Sequence, residues 1–94
     1  MRYYVYTLIS LKDRCLYVGF TKNLKERLAC HARGKVRSTS SRRPLKLVHY
    51  EYFINEKDAR NREVFLKSGY GRDNLKKALK LTLDDYDYKY RLDD

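Results

Sequence analysis

Three observations predict a small α+β domain. Residues 3–9, 15–19 and 45–54 are short runs rich in aromatic and β-branched side chains, the composition of strands. Two longer runs, from Leu24 and from Asn55, carry apolar residues at helical spacing and begin at or just after an asparagine. The length, 94 residues, allows one domain with a single modest core.

Residues 3–9, YYVYTLI, form the first strand. Alternation puts Tyr4, Tyr6 and Leu8 on one face and Tyr3, Val5, Thr7 and Ile9 on the other. Neither face is polar, so this strand is expected to be covered on both sides. The polar stretch 10–14 reads as a turn and 15–19 as a second strand, giving an antiparallel hairpin with a loop of about five residues. The stretch 16–31, LYVGFTKNLKERLACH, then runs strand, turn, helix. Asn23 is a good N-cap, and Glu26 three residues on gives capping-box spacing. The helix, about 24–33, carries Leu24, Leu28 and Ala32 as its apolar stripe, and Gly34 is placed to close it. Arg27 and His31, four apart, share a face bordering that stripe, and the strand delivers Tyr17 near the same end. A phenol, a guanidinium and an imidazole therefore converge at the edge of the core.

Residues 35–44, KVRSTSSRRP, read as a basic and hydroxyl-rich loop. Lys35, Arg37, Arg42, Arg43 and the nearby Lys46 are able to meet phosphates, and the serines from Ser38 add donors. In the third strand, 45–54, strict alternation puts Leu45, Leu47, His49, Glu51 and Phe53 on one face; His49 reads as a strand histidine satisfied by its neighbours. The second helix, about 55–68, is capped by Asn55 with Asp58 at its third position, and Gly69 is a natural stop. Ala59, Glu63, Leu66 and Tyr70 recur at helical spacing, so Glu63 falls on the apolar side. A carboxylate there is costly unless paired or metal-bound. The residues alone favour an ion pair with an arginine at the core edge over a metal. A short basic helix, about 74–80, follows with Leu75 and Leu79 inward. The segment 82–94, TLDDYDYKYRLDD, alternates acid and tyrosine; it either adds a last turn packing Tyr86, Tyr88 or Tyr90 or stays loose. The expected division is a domain over 1–83 and an acidic tail over 84–94.

Charge narrows the function. Lys and Arg number 22 against 12 Asp and Glu, a net charge of +10. The balance is uneven: residues 1–83 carry a net +13 and residues 84–94 a net −3. A compact body this basic attracts polyanions, nucleic acid first among them. No basic amphipathic helix with an aromatic face suggests a membrane surface, and no apolar run reaches spanning length. Cys15 and Cys30 make no metal-binding spacing and read as reduced thiols, which makes the cytoplasm the expected location.

The pattern resembles the GIY-YIG nuclease superfamily, named for two tripeptides on adjacent strands. Tyr4-Val5-Tyr6 stands at the first and Tyr17-Val18-Gly19 at the second. Arg27, ten residues after Tyr17, has the spacing of the family's catalytic arginine; His31 falls at its Tyr/His position, and Glu63 in NREVFLKSG at its metal-binding glutamate. The run STSSRRPLKLVHYE and the later GYGR are similar to the small stand-alone bacterial members. Tyr4 replaces the first glycine, and Phe20 stands where some repair nucleases of the family carry lysine.

What the resemblance implies is a small three-stranded antiparallel sheet flanked by helices, and metal-assisted hydrolysis of phosphodiester bonds in DNA, with RNA as the other candidate, in repair or processing. On this expectation Glu63 is the sole protein ligand of one Mg²⁺ or Mn²⁺, an ion that keeps several waters. Tyr17, aided by Tyr6 or His31, takes the proton of an attacking water, and Arg27 holds the scissile phosphate. An ordinary tyrosine, with a pKa of about 10, is a poor base at pH 7, so Arg27 is expected to favour the phenolate. A chain of this length leaves no room for a separate recognition domain, which directs specificity to DNA structure, a homodimer or a protein partner. A nucleic-acid-binding module without catalysis and an adaptor using the acidic tail are the other classes considered.

Overall fold

The computed structural model describes residues 2–86 and 88. In chain order the elements are β1 (Tyr3–Ser10), β2 (Leu16–Thr21), α1 (Leu24–Ala32), a 3₁₀ turn (Ser40–Arg42), β3 (Leu45–Phe53), α2 (Glu56–Lys67), α3 (Gly69–Ala78) and α4 (Lys80–Asp85). The strands form one antiparallel sheet in the order β2-β1-β3. The expected α+β class and three-stranded sheet are what the molecule has.

β1 is the central strand, and its doubly apolar sequence is the reason. Tyr6, Thr7, Leu8 and Ile9 are each at most 1% exposed. Tyr3, Val5 and Ile9 from one face of β1, with Leu16 and Val18 of β2, pack against Ala59 and Leu66 of α2 and against Leu75, Leu83 and Tyr88. Each such apolar side chain removed from water contributes roughly 1.5–3 kcal/mol, so this one cluster supplies most of the driving force. The other face of β1 presents Tyr4 and Tyr6, and α1 crosses it.

The hairpin turn is held by its own side chains. Ser10 Oγ accepts from the Lys12 and Asp13 N–H groups, and Asp13 Oδ1 accepts from the Cys15 N–H. Asn23 caps α1 as expected: its Oδ1 accepts from the Glu26 N–H, and its amide donates to the Glu26 carboxylate. Asn55 caps α2 by accepting from the Lys57 and Asp58 N–H groups.

Several expectations need correction. The inward stripe of α1 is not Leu24, Leu28 and Ala32: Ala32 is exposed, the two leucines are half-buried, and His31 is the buried residue of that helix. In β3 the alternation breaks at Val48, because β1 changes register between Thr7 and Leu8, where Thr7 faces His49 and Leu8 faces Leu47. Leu47 is thereby turned outward while Val48 packs against the core. The α2 helix stops before Gly69 as expected, but no loop follows. Ser68 accepts from the Gly71 N–H and starts α3 at once. Tyr70 therefore rides on α3, 85% exposed, away from the α2 face assigned to it. Of the acid–tyrosine segment, Tyr86 packs against the core and Tyr88 joins it, while Tyr90 lies outside the described residues. Among the described residues no helix is long and apolar enough to cross a membrane.

Candidate active site

The site is built around a buried phenol. Tyr6 is fully buried, and its O–H lies 2.7 Å from His31 Nε2. His31 Nδ1 lies 2.7 Å from Thr39 Oγ1, itself buried and directed to the Val36 carbonyl. Burial pushes the Tyr6 phenol up to about 12, with the Arg27 guanidinium beside it opposing and Tyr17 and Glu63 adding to the rise. Tyr6 thus keeps its proton, and with a cation at its oxygen that proton goes to His31 Nε2. The tautomer follows: Nδ1 carries the ring's hydrogen and donates to Thr39. Burial, and secondarily the charge of Arg27, pulls His31 down to about 4, so the ring is neutral at pH 7.

Tyr17 completes a three-ring cluster. Its ring centroid lies 5.3 Å from that of His31 and 6.3 Å from that of Tyr6, and the Tyr6 and His31 centroids are 5.6 Å apart. Tyr17 is half-buried, unlike the two groups behind it, and Ser38 Oγ donates to its oxygen at 3.4 Å. The glycine of the second tripeptide has a packing reason. Gly19 pairs with Tyr6 across the sheet, and a Cβ there would stand 2.5 Å from the phenol's Cζ and oxygen. Only glycine lets the Tyr6 ring lie over β2.

Arg27 is placed against these phenols, which, with the phenol of Tyr6 foremost, hold its pKa up. Its Nε is buried and has no hydrogen-bond partner among the described residues. An unpaired buried donor costs about 1–3 kcal/mol, a cost that the fold bears at this position. It lines a small cleft of about 210 Å³ together with Lys22, Asn23, Glu26 and Cys30.

Glu63 is on the inner side of α2, its side chain 19% exposed, and its carboxylate meets Lys67 Nζ at 2.9 Å. The ion pair is with a lysine one turn along the same helix rather than with an arginine. Among the described residues no three His, Cys, Asp or Glu side chains cluster as for a closed metal site. A lone, largely screened carboxylate suits only a hard cation that keeps most of its water, the chemistry of Mg²⁺ or Mn²⁺.

The basic loop divides. Lys35, Arg37, Ser38 and Lys46 are exposed. Arg42 is not a free cation: its Nε donates to Asp13 Oδ2 at 2.6 Å, and its Nη2 donates to Asp13 Oδ1 and the Cys15 carbonyl. Arg43 donates from Nε to the Ser40 carbonyl and lies over Gly34. Arg42 fastens the loop and has little left to offer a phosphate, whereas Arg43 is exposed and its one recorded hydrogen bond uses only Nε. His49 is satisfied by Glu51, which also binds Arg62. Thr39 was not singled out in the sequence. Within a run of hydroxyl residues nothing distinguishes the one that is buried under the histidine.

The model of the GIY-YIG catalytic domain matches residues 2–77. The chain belongs to the GIY-YIG family, a nuclease family whose substrates are nucleic acids. Its relatives include a UPF0213 protein of Clostridium perfringens, 42% identical over 65 residues that make up 68% of this chain and 69% of that one. A UPF0213 protein of Staphylococcus haemolyticus is 38% identical over 80% of this chain and 92% of its own. The solution NMR structure of a UPF0213 protein from Bacillus halodurans matches with a TM-score of 0.53 at 30% identity, covering 98% of this chain and 97% of that one.

Proposed function

We propose that the protein is an endonuclease that hydrolyses phosphodiester bonds in DNA with a divalent metal, from a cytoplasmic location consistent with its two free cysteines. The single observation that carries this reading is the Arg27 guanidinium, which lines a cleft beside two phenols with its Nε unpaired. A phosphate oxygen is the acceptor that would complete it, and a guanidinium matches a phosphate with two parallel donors.

Each residue then has a part. Arg27 binds the scissile phosphate and offsets the charge that develops on its oxygens. Tyr17, the accessible one of the two, acts as the phenolate beside Arg27 and takes the proton of the attacking water as the new P–O bond forms and the bond to the 3′ oxygen breaks. Tyr6 and His31 are positioning residues, since one keeps its proton, the other stays neutral and both are enclosed. Glu63 would hold Mg²⁺ or Mn²⁺, which when bound supplies positive charge to the leaving oxygen. Lys35, Arg37, Ser38, Arg43 and Lys46 carry the flanking phosphates, while Arg42 holds the loop in shape.

The test is nicking of supercoiled plasmid with Mg²⁺ or Mn²⁺. Glu63→Ala and Tyr17→Phe are expected to lower the rate by at least a hundredfold, with folding intact by circular dichroism. Cutting that persists in either variant would sink the assignment. Salt-sensitive binding with no metal-dependent product would instead mark a binding module that keeps the fold.

A further inference from the structure

α1 crosses the sheet face that carries Tyr6 and reaches β3, yet part of β3 beside it stays exposed and aromatic. Tyr50 and Tyr52 are 52% and 51% exposed, and both rings meet Tyr4, with centroids 6.1 and 5.5 Å away. Register places Tyr52 opposite Tyr4 and Tyr50 opposite Tyr6, so this aromatic patch adjoins the row of the buried phenol. Between the patch and α1 runs an open groove of about 600 Å³ whose lining includes Arg2, Tyr4, Lys22, Lys25, Leu28 and Tyr50. Its charged lining residues are all cations. Two carboxylates stand nearby: Glu56 meets Lys22 at 3.9 Å, a surface pair of little strength, and Glu26, on the side of the Arg27 cleft, accepts from the Asn23 amide at 3.3 Å. Lys22 and Asn23 also line the cleft that holds Arg27, so the two depressions meet at the start of α1.

Pairing with Tyr4 explains one side of each ring, but about half of Tyr50 and of Tyr52 stays in water, and the three rings make one contiguous patch rather than scattered single residues. Flat rings flanked by cations match one ligand class well: unpaired nucleotides, whose bases stack on aromatic faces while their phosphates follow the positive groove. Paired bases present no free face to such a platform.

We propose that this groove holds a single-stranded stretch of the nucleic-acid substrate, with bases stacked on Tyr4, Tyr50 and Tyr52 and phosphates against Arg2, Lys22 and Lys25. It rests on the nuclease reading for the nature of the ligand and deepens it: the strand that enters the Arg27 cleft leaves unpaired past Lys22 and Asn23. The enzyme thereby selects substrates with a flap, gap or unpaired end next to the cut.

Fluorescence anisotropy in EDTA, where cutting is suppressed, tests the groove apart from catalysis. The full chain is titrated against a labelled mixed-sequence DNA oligonucleotide, its RNA counterpart and a blunt duplex of equal length. The unpaired DNA is expected to bind more tightly than the duplex. The double variant Y50A/Y52A is expected to lose about tenfold or more of single-strand affinity with duplex binding little changed, while Tyr70→Ala on α3 changes neither. Tighter binding of the RNA that is equally sensitive to the two tyrosines keeps the platform and reassigns its strand. Equal affinity for single strand and duplex, or no effect of Y50A/Y52A, overturns the proposal and leaves the nuclease reading standing. Self-association of the wild type in sedimentation that Y50A/Y52A abolishes also overturns it, in favour of a second copy on this face. Tyrosine-dependent single-strand binding without any nicking activity supports the groove and fails the nuclease reading.

Discussion

At the scale of single residues, the burial of His31 decides the most. Helical spacing placed it on the rim of the helix, where an imidazole is free to titrate. The structure instead encloses it, because both of its nitrogens find partners from distant segments, Tyr6 on β1 and Thr39 in the loop. Such satisfaction is invisible in a sequence, since it depends on which hydroxyls the fold brings within reach. The spacing of Tyr17, Arg27 and His31 was legible; their division into an accessible phenol and an enclosed support was not. Enclosure has a consequence for pH. With a folded pKa of about 4 against 6.5 for an ordinary histidine, the unfolded chain binds the extra proton between those values. The contribution of His31 is therefore fully present above pH 6.5 and lost as pH falls through 4, an effect of up to about 3 kcal/mol. Urea midpoints measured from pH 7.5 to pH 4 are expected to fall more steeply in the wild type than in His31→Gln. Equal slopes would contradict a neutral, buried imidazole.

Elements were legible where composition and capping agreed. Both asparagine caps and the three strands stand as read, because each is fixed by local chemistry. The misreadings share a cause, which is that a distant contact outweighs a local rule. Alternation in β3 fails at Val48 because β1 shifts register there. Glycine at 69 suggested a loop, yet Ser68 ends one helix and starts the next. Of the two glycines in that junction, Gly71 is the constrained one: a Cβ would collide with the Phe65 carbonyl, while around Gly69 there is open space. Thermal unfolding is thus expected to show Gly71→Ala destabilised by several kcal/mol and Gly69→Ala within about 0.5 kcal/mol of wild type. A similar loss in both would argue against this close packing of α2 on α3. Arg42 belongs at the same scale. It joins the 3₁₀ turn to the first hairpin through Asp13 and the carbonyls of Cys15 and Leu16. Arg42→Ala is expected to cost about 1–3 kcal/mol in denaturant unfolding. Full stability of that variant would return Arg42 to the phosphate-binding set.

For the whole molecule, the net charge of +10 was the plainest sequence signal and the least specific. The fold gives it a direction by spending some cations on structure and leaving others free. Arg42, Arg62 and Arg60 are tied to Asp13, Glu51 and Glu56; Lys35, Arg37 and Lys46 stand exposed along one loop and strand. If these three carry phosphates, log affinity for duplex DNA falls linearly with log salt. Neutralising each one is expected to make that slope shallower by about 0.9. Slopes that do not change in K35A, R37A and K46A would move the DNA track elsewhere.

The central strand carries two incompatible loads on alternate residues. Tyr3, Val5 and Ile9 face the core, while Tyr4 and Tyr6 face the groove and the site. A slip of one residue in pairing would exchange the two sets, pushing a phenol into the apolar cluster and a valine into the site. Native pairing and assembly of the site thus arrive together. Any condition that lets this sheet mispair yields molecules that lack the site as well as the core, with no half-assembled form between them.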